Sequence, residues 1–194
     1  MRQKATDVTT LVRLLPPAGL LLGAALFALD GAAQAVHATK LTSISPAHCV
    51  ATLERGVPPD PLRCPSALRE AAIEAKAMCR QAGGTLAGVA EGNVWGIDVN
   101  GDGRSELAFS LTDNVSCTGA PTLFSCGSLR CPKDLYELRD GSWKIVGSFS
   151  ADTPEQVTLG PATADGHHSL VVCSQDRCTE QVTYEWVGGG YTRG

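Results

Sequence analysis

Eight cysteines, Cys49, Cys64, Cys79, Cys117, Cys126, Cys131, Cys173 and Cys178, constrain this 194-residue chain more than any other feature. All of them follow residue 35, their number is even, and none belongs to a C-x-x-C knuckle, so disulfides are expected rather than a zinc site. Catalytic thiol chemistry is the weaker reading, because no Cys has an evident His/Asn constellation around it.

Disulfides need an oxidising compartment, and the N-terminus offers a route to one. Arg2, Lys4 and Arg13 give a positive start, Leu20 to Leu29 is an uncharged apolar run, and Ala33-Gln34-Ala35 supplies small residues for a signal peptidase. The run is too short to span a bilayer, which takes about 20 apolar residues. A signal peptide over residues 1–35 is therefore expected, cleaved before Val36, with cleavage after Ala38 as the alternative. No cysteine stands at the cleavage point, so a lipid anchor is not expected. Nothing later in the chain is long and apolar enough to cross a membrane. The mature chain is expected to be periplasmic or secreted, with 13 Lys+Arg against 18 Asp+Glu and a charge of −5.

Hydrophobic residues at 43% and charged residues at 19% fit a globular chain. The acidic balance, with no Lys/Arg-rich run, excludes a nucleic-acid binder. Aromatics at 5% leave the core to Ala, Val, Leu and Ile. Residues 36–65, with Pro46, Pro58, Pro59 and Pro61, read as an irregular Pro-rich segment. Residues 66–194 read as one α+β domain. Its helix covers 66–81 and stops at Gly83-Gly84. Short strands follow at 93–99, 105–111, 121–125, 134–139 and 143–149, then at 156–159, 168–172, 181–187 and 191–193.

The two groups of strands look like copies. Asp102–Phe109 aligns with Asp165–Val172, Cys126/Cys131 with Cys173/Cys178, and Tyr136–Trp143 with Tyr184–Tyr191. Two copies, about 93–149 and 156–193, are too few for a propeller. The expected fold is a disulfide-stapled antiparallel β meander, built from a degenerate repeat, with one helix packed on it. Four-residue loops suggest hairpin clasps Cys126–Cys131 and Cys173–Cys178. A helix over 66–79 would hold Cys64 and Cys79 about 20 Å apart. That leaves Cys49–Cys64 with Cys79–Cys117, which is favoured, or Cys49–Cys79 with Cys64–Cys117.

One loop carries candidate chemistry. In Asp98-Val-Asn100-Gly-Asp102-Gly-Arg104-Ser-Glu106, oxygen-bearing side chains recur at positions 1, 3, 5 and 9, with Gly at 6 and the Arg104 carbonyl at 7. A hard cation such as Ca²⁺ takes six to eight oxygens at about 2.3–2.6 Å. Phe109 stands where an EF-hand needs a bidentate Glu, so the loop is not an EF-hand. The same Asn-Gly and Asp-Gly dipeptides also make hairpin turns without any metal.

The stretch Ile97–Phe109 resembles the calcium loops of FG-GAP/VCBS-type repeats, which join two β-strands. The resemblance implies Asp98, Asn100, Asp102, the Arg104 carbonyl and Glu106 as Ca²⁺ ligands. The wider run from Met78–Gly84 through Asp98–Leu107 to Cys117–Phe124 is similar to uncharacterised exported bacterial proteins with a Cys…NGDG…Cys layout. Neither resemblance implies an enzyme reaction. The second copy keeps Asp165-Gly166 but has Pro161, Thr163 and Ser169 where ligands should stand, so it is not expected to bind the ion.

Adjacent strand residues point to opposite faces, so His167 and His168 read as exposed turn histidines rather than one metal site. His37 and His48 read the same way. Tyr136, Trp143, Tyr184, Trp186 and Tyr191 read as sheet packing, and Asn114-Val115-Ser116 fits a glycosylation acceptor. The expected function is a non-enzymatic binding or structural module with a Ca²⁺ loop and a protein or glycan partner. The alternative is a secreted inhibitor or immunity-type protein acting on a partner such as a basic hydrolase. A calcium-dependent hydrolase is the third reading.

Overall fold

The computed structural model describes residues 36–89, 92–126, 131–173 and 178–194; the expected signal peptide over 1–35 lies outside them. In chain order the elements are β1 (Thr39–Lys40), α1 (Pro46–Arg55), α2 (Ser66–Gln81), β2 (Thr85–Gly88), β3 (Trp95–Ile97), β4 (Glu106–Phe109), β5 (Val115–Thr118), β6 (Lys133–Arg139) and β7 (Ser142–Phe149). A 3-10 turn at Pro154–Gln156 then leads to β8 (Val157–Ala162), β9 (His168–Cys173), β10 (Gln181–Val187) and β11 (Gly190–Arg193).

The strands form a five-stranded sheet ordered β1-β3-β4-β6-β7, a four-stranded sheet ordered β11-β10-β9-β8, and a β2-β5 ribbon. Every pairing is antiparallel. The antiparallel α+β class expected from the sequence is therefore the one observed, here with two helices and mostly β. The segments aligned as copies fall in the two different sheets. After β7 the chain leaves the first sheet through a turn whose Thr153 and Gln156 form a capping box, and β8 opens the second.

Side-chain alternation assigns each face of the first sheet. Trp95, Ile97, Ala108, Leu135 and Val146 meet Val157, Leu170, Val172, Trp186 and Tyr191 of the second sheet in one core. Their neighbours Leu107 and Phe109 point the other way, onto Cys49 of α1 and Ala67 and Leu68 of α2. The first sheet is thus the middle layer, between the helices and the second sheet. A third cluster joins α1, α2 and the ribbon around Cys79 and Cys117.

Helix α1 corrects the expectation of an irregular 36–65. Pro46 occupies the first helical turn, where the missing N–H has no intrahelical role. Ser45 caps it by accepting from the His48 amide at 3.2 Å, and Gly56 ends it at φ 68°. The other prolines fall after the helix, in the 58–61 connection. The strand expected at 121–125 is a run of turns, while β5 pairs with β2 instead.

All eight cysteines are paired, as Cys49–Cys64, Cys79–Cys117, Cys126–Cys131 and Cys173–Cys178. These are the pairings the spacing favours. The last does not clasp opposite ladder positions, because Cys173 pairs in register with Gln181 and Cys178 lies in the connection.

Candidate cation loop and the polar cluster beside it

The loop joins β3 to β4, closing on the pair Ile97↔Glu106. Gly101 and Gly103 turn the chain at φ 69° and 82°, a region glycine enters without strain. Three predicted ligands then fold inward over the loop's own amides. Asp98 Oδ1 accepts from the Asp102 amide at 3.2 Å and Asp98 Oδ2 from the Gly103 amide at 2.9 Å. Asn100 Oδ1 accepts from the same Asp102 amide at 3.0 Å, and Asp102 Oδ1 from the Arg104 amide at 2.8 Å. Asp98, Asn100 and Asp102 are therefore brought together around one short run of backbone.

Glu106 is placed differently. It begins β4, is 4% exposed, and its Oε2 accepts from the Val99 amide at 2.8 Å. Its Oε1 meets the Asn100 side-chain amide at 3.4 Å, which is its tie to the other ligands. Burial pushes its carboxyl up to about 7; the Val99 hydrogen bond opposes the shift, and the nearby charges of Glu137 and Asp102 add to it. Arg104 is exposed. Among the described residues, no three His, Cys, Asp or Glu side chains stand together as a metal-binding group.

Asn100 also connects the loop to a buried polar cluster that sequence reading missed. Its Nδ2 donates to Glu137 Oε1 on β6 at 3.3 Å. Arg139, two residues along the same face, donates from Nε to Glu137 Oε2 at 2.7 Å and from Nη1 to the Gly189 carbonyl at 3.0 Å. His167 Nε2 lies 3.2 Å from Glu137 Oε1. Burial alone would raise the Glu137 carboxyl, but hydrogen bonds from Arg139, His167 and Asn100, with the Arg139 charge, hold it below the usual range.

The His167 ring stacks on Trp186 with centroids 3.7 Å apart and planes 3° from parallel, and the Arg139 guanidinium lies 4.9 Å from the same indole. Its side chain is 14% exposed, so the exposed-turn expectation is corrected for this residue. No local pattern announces the contact, because it forms only when β10, carrying Trp186, folds back beside β9. His168, the first residue of β9, is half-buried rather than an exposed turn residue, and its Nδ1 meets the Gly160 carbonyl at 2.8 Å. His37 Nδ1 meets the Glu155 carbonyl at 3.0 Å, and His48 Nε2 accepts from the Asp60 amide at 3.3 Å.

Trp186 and Tyr191 are core residues, and Tyr184 packs against the same core, edge-on to Phe149. Tyr136 and Trp143 are half-buried on the opposite face of the first sheet, toward the helices. Asn114 is wholly buried, with its Nδ2 donating to the Ser110 carbonyl at 2.7 Å, so the acceptor motif is closed to glycosylation in the folded chain. No protein-family model, curated protein or solved structure matches this chain.

Proposed function

We propose that this protein is an exported, non-enzymatic binding module, crosslinked for an oxidising compartment, whose 98–106 loop takes up Ca²⁺. The observation that carries the ion is the inward turn of Asp98, Asn100 and Asp102 onto the amides of residues 102–104. Those oxygens now satisfy weak backbone donors, and a divalent cation would replace the donors with a stronger common partner. Glu106 would contribute through Oε1, which carries the longer contact, and the Arg104 carbonyl would complete the set. Four disulfides support export, since cytosolic reductants keep thiols open. No helix of the described residues is long and apolar enough to cross a membrane.

Calorimetric titration of Ca²⁺ into chelator-treated protein tests the ion. Heat of binding is expected in the parent and none in Asp98→Ala/Asp102→Ala; a parent that gives no heat removes Ca²⁺ from the reading. The inhibitor reading of the same module is favoured by the acidic charge of residues 36–194, which suits a basic partner.

A further inference from the structure

The hairpin of β6 and β7 turns one face toward the helix layer. Tyr136 pairs with Ile145 and Leu138 with Trp143, so these four side chains share that face. Helix α2 covers its inner part and stops short of the edge, leaving Leu138 46% and Ile145 60% exposed. Between α2 and β7 runs a groove of about 380 Å³, walled by Ala71, Tyr136, Trp143 and Ile145.

The groove's charges are arranged unusually for an apolar patch. Glu70 and Glu74 line its helix side and Lys144 its strand side. Glu70 and Glu74 stand one turn apart, a spacing at which like charges repel. Neither has an ion pair among the described residues; of the three α2 cations, Lys76 and Arg80 are directed to Glu54 and Arg69 lines a separate hollow beside Thr52 and Leu53. The field of the carboxylates reaches the groove wall. The Tyr136 phenol is pushed up to about 12, first by burial and then by Asp134, Glu74 and Glu70.

An apolar wall with an indole, beside two carboxylates outnumbering the single Lys144 and not ion-paired with it, is complementary to one kind of group. It fits a cation on an aliphatic stem, whose methylenes lie on the wall while the charge meets the acids and the ring faces. An anionic lipid surface is disfavoured by the same acids. We propose that this groove docks a lysine or arginine side chain of a partner protein, the stem on Trp143 and Ile145 and the charge beside Glu70 and Glu74. The assignment rests on the binding-module reading and names the chemistry of its partner.

The test uses the ¹⁵N-labelled full chain and three capped peptides, Gly-Lys-Gly, Gly-Arg-Gly and Gly-Glu-Gly, followed by NMR at millimolar concentration. The Lys and Arg peptides are expected to move the Trp143 indole signal and the amides of Glu70, Glu74 and Ile145, and the Glu peptide to leave them in place. Glu70→Gln/Glu74→Gln is expected to weaken the Lys and Arg peptides by about tenfold, and Lys144→Gln to tighten them. Glu155→Gln/Glu185→Gln, an equal two-charge change away from the groove, should do neither. Equal shifts with the Glu peptide, still groove signals, or indifference to the Glu70/Glu74 change would overturn the proposal. Shifts confined to another surface would overturn the groove and leave the binding module standing. A Ca²⁺ titration of the same sample, read at the amides of 98–106, reports on the loop separately.

Discussion

Glu106 and Glu137 lie on either side of the Asn100 amide, yet burial and hydrogen bonding drive their carboxyls in opposite directions. Raised from 4.5 to about 7, Glu106 holds its proton more tightly in the native state. Its contribution to stability is full below pH 4.5 and is lost as pH rises to about 7, by about 1–2 kcal/mol once solvent screening is allowed for. Glu137, held below 4.5, contributes above that value, and its share is lost as pH falls through its lower native pKa. Urea unfolding in chelated buffer between pH 3 and 8 should therefore show two separable limbs. Glu106→Gln should flatten the upper limb. Glu137→Gln should flatten the lower one and cost about 2–3 kcal/mol at neutral pH, since it strips Arg139 of its partner. An unchanged upper limb in Glu106→Gln would refute the assignment. The loop residues themselves were legible, because Asp, Asn and Gly at alternate positions dictate an inward-turned hairpin. The cluster beside them was not, because Glu137 lies on β6 of the first sheet while His167, just before β9, and Trp186 on β10 belong to the second, and the three meet only where the two sheets stack.

At the level of elements, α2 was readable from its Ala-rich face and its Gly stop, and α1 was hidden by its prolines. The signal for α1 was nevertheless present: Ser45-Pro46 is a cap followed by a proline suited to the first turn, and Gly56 closes the segment. Ribbon β2-β5 was missed because four-residue strands carry too little alternation, and its place is set by the Cys79–Cys117 bridge instead. That bridge explains the residue after the α2 stop. A Cβ on Gly84 would strike Cys117 Sγ and lie 2.5 Å from the Thr118 carbonyl oxygen. Its neighbour Gly83 has open space around it and φ 77°. Gly84→Ala should therefore cost about 2–4 kcal/mol through overpacking, and Gly83→Ala only about 1 kcal/mol through backbone strain. Denaturant midpoints for the two variants test this. Equal losses would mean that the bridge does not press on the chain at Gly84.

For the whole molecule, three layers must be held together by a core poor in aromatics, and the crosslinks divide that task unequally. Cys79–Cys117 spans 38 residues and Cys49–Cys64 spans 15, and both are buried where helices meet sheet or ribbon. Cys126–Cys131 and Cys173–Cys178 each span 5 residues and tie short connections. Chain entropy in the unfolded state makes a bridge worth more as the loop it closes lengthens: about 4 kcal/mol for Cys79–Cys117, about 3 for Cys49–Cys64 and about 2 for either short one. Burial widens the gap, because removing the sulfurs of Cys79 and Cys117 also leaves space in the third cluster. Cys79→Ala/Cys117→Ala should thus fall at least 2 kcal/mol further in urea unfolding than Cys126→Ala/Cys131→Ala. Limited reduction followed by thiol alkylation should label Cys173 and Cys178 before Cys79 and Cys117, whose sulfurs water does not reach in the native state. Alkylation of Cys79 and Cys117 first, or equal stability losses from the two double variants, would place the structural burden on the short loops and contradict a layered body pinned where helix meets ribbon.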